Sequence, residues 1–360
     1  MRVLALLIGG NNIANYALIE YFKNSDKFSF DKVLLIYTNQ SKDSVKNIIS
    51  LQNGVEFLEC NLEDDGRNLL RIQQKISNLL SNIDISFIHL NYTGGTKPMS
   101  VGAFLAIDSL ECEKRFSDIS PDSSKLTFAN GEIYPNDSSI DKDVALDIKS
   151  LYKLHGIELI KYQKSVSEFY SDEFVKYLIE KSIKHKNYES FWEVWDSRDI
   201  KTFDYKATIK DAPIHFDIDS INLKYLQNFI RGRWLEEYVF DTLKDEKFTD
   251  IAWNVEGRIK NRDFELDLVI TKGHKSYIIS CTTSTTLKDV KQKAFEASIR
   301  AEQIGGIRAK PISIYLLGAE NLEKIQYDVK NYVGKTNFEF IGRDIVKNKD
   351  KFKNMLKSIF

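Results

Sequence analysis

Apolar positions fall into two rhythms over residues 1–110, short solid runs alternating with stretches in which they recur every three to four residues. Residues 2–7 (RVLALL) predict a buried strand running into Gly9-Gly10-Asn11-Asn12, and residues 13–22 a helix. Residues 32–37 (KVLLIY) predict a second strand, 42–51 a helix and 55–58 a third strand. Leu69, Ile72, Ile76, Leu79 and Leu80 carry helical spacing over 68–80, and 83–90 (IDISFIHL) is the next strand. Alternation of this kind predicts an α/β fold with a parallel, doubly wound sheet. Ligands of such sheets bind beyond the carboxyl ends of the strands, where strand order reverses.

From about 110 to 145 the chain turns polar, and Asn130-Gly131 between two short apolar runs signals a tight hairpin that closes the first domain. Residues 146–230 mix helical stretches such as 167–183 with the short alternating run 214–218, read as a connector without a catalytic signature. After Gly232 come a helix over 233–243, strands over 250–255, 263–271 and 276–281, a helix over 289–302 and a strand over 311–317. The expected domains are therefore 1–140, 141–230 and 231–360.

Composition narrows the class. At 360 residues, with about 150 residues per domain as a prior, more than one core is expected. No run approaches the ~20 apolar residues that span a bilayer, and the apolar opening reads as a strand, not a signal peptide, so no membrane partner is expected. Three scattered cysteines and five scattered histidines suggest a reducing, cytoplasmic setting with neither a disulfide framework nor a Cys/His metal cluster. A net charge of −1 excludes a globally basic nucleic-acid binder but not local basic surface. The Lys-rich last helix reads as a solvated face.

Candidate chemistry sits first in two loops at one sheet edge. One is Gly9-Gly10-Asn11-Asn12. The other, Asn91-Tyr92-Thr93-Gly94-Gly95-Thr96-Lys97-Pro98-Met99, leaves a strand and enters a helix. Paired glycines let backbone approach a ligand, a helix N-terminus offers free N–H groups, and Thr93, Thr96 and Lys97 add hydroxyls and a charge, which together suit a phosphodiester. Neither loop is GxGxxG or GxxxxGK[ST], so a nicotinamide or ATP reading is disfavoured.

The run NYTGGTKPMS resembles the signature loop of CARF domains, the CRISPR-associated Rossmann-like sensors, and the resemblance covers residues 1 to about 135. It implies a homodimer that binds cyclic tetra-adenylate or cyclic hexa-adenylate across its interface. It further implies that Thr93, Gly94, Gly95, Thr96 and Lys97, with Gly10, Asn11 and Asn12, contact that activator. Some CARF domains cleave their own ligand, a step Lys97 and Thr96 would assist.

In the second half, periodicity separates two adjacent glutamates. Glu237 has Asp241 at i+4 and Lys244 at i+7 and is expected on a polar face. Glu236 has Val239 and Phe240 at i+3 and i+4 and is expected along apolar surface, a costly place for an unpaired carboxylate. The order helix, strand meander, helix, strand, with GRWLEEYV, FELDLVI, YIISCTT and AEQIGGI, resembles the PD-(D/E)xK nuclease domain of CARF-containing CRISPR nucleases. The resemblance implies that Glu236 and Asp267 hold Mg²⁺ or Mn²⁺ for cleavage of RNA or DNA. Ser280 and Thr282 stand where that pattern has glutamate and lysine, and a hydroxyl is a poor substitute for either. Three accounts stay open: the groups have migrated to the following helix, with Glu296, Lys288 and Lys291 as candidates; the domain is a silent fold in a messenger-binding regulator; or the residues were replaced by engineering, of which the sequence bears no sign.

Overall fold

The structure is a computed structural model that describes the chain apart from residues 11, 26–27, 121–122, 136–138, 185–199, 204–205, 210–214, 218–222, 285, 319–320 and 334–337. Its N-terminal sheet has seven strands in the order β3-β2-β1-β4-β5-β6-β7. β1 (Arg2–Leu7), β2 (Lys32–Tyr37), β3 (Glu56–Asn61), β4 (Phe87–Asn91) and β5 (Glu113–Ile119) run parallel. The hairpin β6 (Leu126–Phe128) and β7 (Ile133–Tyr134) closes the sheet antiparallel, turning at Asn130-Gly131 as the dipeptide predicts.

Helices α1 (Ile13–Lys23), α2 (Lys42–Leu51), α3 (Leu69–Leu80) and α4 (Lys97–Asp108) cover both faces. The central strands β1 and β2 are accordingly near-continuous apolar runs rather than alternating; every residue of each beyond the first is buried. The chain steps outward from β1 to β2 to β3, then returns to place β4 on the other side of β1. The reversal of strand order therefore lies between β1 and β4, the strands that feed the two candidate loops.

The second large sheet has the order β16-β15-β14-β13-β12-β8. β12 (Asp250–Ile259), β13 (Arg262–Lys272) and β14 (Lys275–Thr282) form the expected antiparallel meander, while β15 (Lys310–Tyr315) and β16 (Glu339–Ile341) add in parallel. The edge strand β8 (Glu158–Gln163) comes from the segment read as a connector. α5 (Ile148–Leu154) and α6 (Asp172–Lys184) belong to that segment too, and β9 (Ile200–Phe203), β10 (Lys206–Ile209) and β11 (His215–Asp217) form a small separate sheet.

α7 (Leu223–Asn228) leads through a kink at Gly232 into α8 (Trp234–Leu243). α9 (Leu287–Gly305) lies across β14 and β15, and α10 (Leu322–Val333), α11 (Arg343–Val346) and α12 (Lys349–Ile359) complete the layer. One core cluster runs through both halves, joining Leu4, Leu6 and Phe22 to Tyr152 of α5 and to Val255, Leu266 and Ile304. The sensor-like sheet and the second sheet thus share packed interior, which makes rigid transmission between them physically available. Among the described residues no helix is long and apolar enough to cross a membrane.

Candidate functional site

At the first sheet's switch point the two loops touch. Gly94 packs so tightly on β1 that an added Cβ would lie 2.0 Å from the Leu7 carbonyl oxygen. Gly95 takes a positive φ of 74°, and a Cβ on Gly9 would meet the Gly95 nitrogen at 3.2 Å. These glycines are therefore dictated by close backbone approach and handedness. The two threonines have structural partners as well. Thr96 caps α4 by accepting from the Met99 N–H at 3.4 Å, and its hydroxyl donates to the Gly66 carbonyl at 2.9 Å. Thr93 accepts from the Ile119 N–H at 2.8 Å, tying the loop to the end of β5.

Gly95, Thr96 and Lys97 are exposed, and a cavity of about 500 Å³ opens beside them. Gly10, Thr38, Gln40, Arg67, Gly95 and Thr96 are among its walls. Asn12, Thr93, Gly94 and Lys97 are not among its lining residues. Asn12 is buried at the start of α1, its Nδ2 reaching the Leu154 carbonyl at 3.5 Å, and its Oδ1 has no partner. Asn11 lies outside the described residues. The β2–α2 loop and Arg67 were missed from sequence; the polar run TNQS directly after a strand at the carboxyl edge was the available signal.

The second site is built where α8, β13, β14 and α9 meet. Glu237, expected on a polar face, is fully buried, and its carboxylate accepts from the Ser167 N–H at 2.6 Å. The expectation failed because a segment seventy residues upstream covers that face, which local periodicity does not see. Glu236 has a buried Oε2 without a hydrogen-bond partner. Its burial first, and then the charge of Asp267, hold its carboxyl well above the ordinary range, against the opposing pull of Arg233.

Asp267 is buried on β13. Burial raises its carboxyl too, offset by Lys293 and by two hydrogen bonds into Oδ2, from the Cys281 N–H at 2.6 Å and the Ser280 hydroxyl at 3.2 Å. Ser280 therefore acts as a donor to the carboxylate and holds it in place. Thr282 turns to the following loop, where its hydroxyl accepts from the Ser284 N–H at 3.2 Å. Of the helix candidates, Glu296 lies close enough for its charge to raise both Asp267 and Lys293. Lys291 is ion-paired with Asp328, and Lys288 is exposed near Asp289. The cation that does reach the pair is Lys293, with Nζ 3.9 Å from Asp267 Oδ1. No spacing motif flagged it, because it lies 26 residues from Asp267 on a helix.

Among the described residues no group of three or more His, Cys, Asp or Glu side chains is placed to hold a metal ion. Two carboxylates nonetheless fit Mg²⁺, which keeps several waters and is commonly held by one or two carboxylates plus phosphate oxygens. The orphaned oxygen of Glu236 beside Asp267 is the chemical demand that such an ion meets. An open groove of about 940 Å³ runs along α9 and the β12–β13 turn, with Lys260, Arg262, Phe295, Glu296, Ile299 and Arg300 in its walls; of the candidate residues, Glu296 lines it and Glu236, Asp267 and Lys293 do not.

Comparison with known proteins agrees with this division. Residues 3–116 match the model of the Card1 CARF domain, and residues 223–316 that of the Card1-like endonuclease domain. Among solved structures, the chain is similar to Can2 from Sulfobacillus thermosulfidooxidans, solved in complex with cyclic tetra-adenylate, with 16% identity and a TM-score of 0.71 over 100% of both chains. It is also similar to the protein VC1899 from Vibrio cholerae, with 14% identity and a TM-score of 0.65 over 99% of this chain and 98% of that one. At these identities the likeness is one of fold, and it extends over both sheets. No curated protein sequence matches the chain.

Proposed function

Because the chain joins a Card1-type CARF domain to a Card1-like endonuclease domain, we propose that it is a CRISPR-associated effector in which cyclic oligoadenylate, in the first instance cyclic tetra-adenylate, switches on metal-dependent cleavage of RNA or DNA. The observation that carries the nuclease half is the repelling pair Glu236 and Asp267, with the buried Oε2 of Glu236 unpartnered. Burying two carboxylates together is costly unless a cation joins them. When bound, Mg²⁺ or Mn²⁺ would supply Lewis acidity at the phosphodiester and a more acidic water. The chain's own share is orientation: Ser280 and the Cys281 N–H fix one oxygen of Asp267 and leave the other facing Lys293.

The sensing half rests on the loop contact at the switch point, where exposed Gly95, Thr96 and Lys97 and the cavity beside them give phosphates backbone N–H groups and a helix N-terminus. Two-fold pairing is supported by an apolar face next to that loop. On α4, Val101, Phe104 and Leu105 are 47%, 37% and 38% exposed, and Leu70 of α3 is 73% exposed. Pairing two such faces would bring two signature loops together around one ring-shaped ligand.

A second reading, a messenger-binding regulator with a silent nuclease fold, is favoured by the loss of a cationic donor from β14, where Thr282 serves a turn. One experiment separates the two. Purified protein is incubated with labelled single-stranded RNA and DNA, Mg²⁺ or Mn²⁺, and no messenger, cyclic tetra-adenylate or cyclic hexa-adenylate, beside Asp267→Ala. Messenger-dependent cutting that vanishes in the variant supports the nuclease. Tight messenger binding without cutting under either metal supports the regulator.

A further inference from the structure

We infer that Lys293, delivered by α9, is the catalytic cation of the endonuclease site and meets the scissile phosphate beside Asp267. This rests on the nuclease reading above.

The geometry singles it out. α9 is anchored by Val290, Ala294 and Ala297, which are buried against Tyr315, Ile325 and Val329. The helical period then places Lys293 and Glu296 together on a row facing β13, with Arg300 one turn further along toward the groove. The Lys293 side chain is 45% exposed, yet its Nζ comes within 3.9 Å of Asp267 Oδ1. That separation is longer than a hydrogen bond, so the ammonium keeps its three donors for a third party. Of the neighbouring cations, Lys291 is engaged with Asp328, and Arg233 lies over the Trp253 ring, 5.5 Å from its centroid, with its charge acting on Glu236 and not on Asp267. A second observation points to a ligand at the same place, the buried and unpartnered Oε2 of Glu236, a carboxylate close enough to feel the charges of both Asp267 and Lys293.

The chemistry balances without Lys293 being consumed. Hydrolysis forms a P–O bond from water to phosphorus and breaks the bond from phosphorus to the departing sugar oxygen. The attacking water gives a proton to solvent, and the leaving oxygen takes one from it. The ammonium stays protonated and donates to the non-bridging oxygens, where negative charge accumulates in the transition state. On this account the function that a strand lysine at position 282 would serve is supplied from eleven residues further along the chain.

The test compares wild type with Lys293→Met, which keeps the stem and removes the charge, and with Lys293→Arg. Messenger-stimulated cleavage is measured beside Mn²⁺ affinity by electron paramagnetic resonance on the uncut protein. The expected result is a loss of about 100-fold in cleavage for Met and substantial recovery with Arg. Mn²⁺ binding is retained or tightened in Lys293→Met, where a cation competing for Asp267 has been removed, and retained in Lys293→Arg, where it is kept. Wild-type cleavage by Lys293→Met overturns the inference. So does loss of Mn²⁺ binding in that variant, since Lys293 would then only be holding the carboxylates. A wild type that binds messenger and cuts nothing overturns the nuclease reading itself, an outcome recognisable without any variant.

Discussion

The Arg308 guanidinium donates to the Ile119 carbonyl at 3.2 Å, joining the short turn Gly306–Arg308 after α9 to the last residue of β5. Ile119 is the residue whose N–H the Thr93 hydroxyl accepts, so a hydrogen-bonded path runs from the signature loop through β5 to Arg308. Arg308 also lies 3.4 Å from His274 Nε2 in the β13–β14 turn, and α9 carries Lys293 and Glu296. If a ligand displaces the loop, this path leads to the turn at the end of α9, the helix that carries Lys293, and to the β13–β14 turn. Such a path is coupling only if both ends shift one equilibrium. Arg308→Ala is expected to keep messenger binding and to lower the stimulation of cleavage by at least about fivefold, the lower end of typical coupling energies. Thr93→Val is expected to lower the stimulation likewise when measured at saturating messenger, and the double variant to lose little more than either single one. Additive losses in the cleavage assay would refute a shared path.

Gly94 and Gly10 offer a contrast between fold and ligand. A methyl group on Gly94 collides with the Leu7 carbonyl, whereas one on Gly10 meets nothing within 4 Å. Gly94→Ala should destabilise the protein by about 1–3 kcal/mol through forced backbone movement, read as a lower thermal midpoint. Gly10→Ala should leave the midpoint unchanged and weaken cyclic tetra-adenylate binding in calorimetry. Unaltered binding by Gly10→Ala would remove the first loop from the ligand site.

What the sequence disclosed follows the range of each interaction. The parallel sheet, the hairpin at Asn130-Gly131 and the two loops at one edge are local signals amplified by repetition, and they were legible. Asp267 was reached through the family resemblance carried by FELDLVI, not through the strand's own pattern, which only sets it on one face with Glu265 and Val269. Glu237 was misplaced because its partner is Ser167, and Lys293 was missed because a helix, not a strand, delivers it. The threonines of the signature loop show a third limit. Composition marks them as polar and near the ligand edge, but only three dimensions show Thr93 spent on Ile119 and Thr96 on Gly66.

Asp141 joins the two halves at the β13–β14 turn, 2.9 Å from His274 Nδ1 and 2.9 Å from Lys275 Nζ. Burial works to raise its carboxyl, but the hydrogen bonds and charges of His274 and Lys275 outweigh it and hold the group far below the usual carboxylate range. A folded-state value below the unfolded one means that the unfolded chain binds the proton more readily. The stability is therefore present above the unfolded value and lost as pH falls through the folded one. Asp141→Asn is expected to cost about 3 kcal/mol near neutral pH. That difference from wild type should shrink as pH falls below about 5. Denaturant titrations at a series of pH values check this, and a gap that widens on acidification would contradict it.

Phe104 tests the pairing surface. Its ring sits 4.5 Å from that of Phe116 and is 37% exposed, flanked on α4 by Val101 and Leu105. Exposed on one copy, this face costs apolar hydration; paired with its twin, it is removed from water on both. Phe104→Glu places a like charge on each side of the two-fold, so repulsion adds to the lost burial. Sedimentation should show wild type as a dimer and the variant as a monomer at micromolar concentration, with the fold intact because the altered side chain is already partly in solvent. If one ring-shaped messenger bridges two loops, its binding must weaken in step with the dimer, and raising protein concentration must restore both together. A monomeric variant that binds cyclic tetra-adenylate as tightly as wild type would place the whole ligand site within one chain.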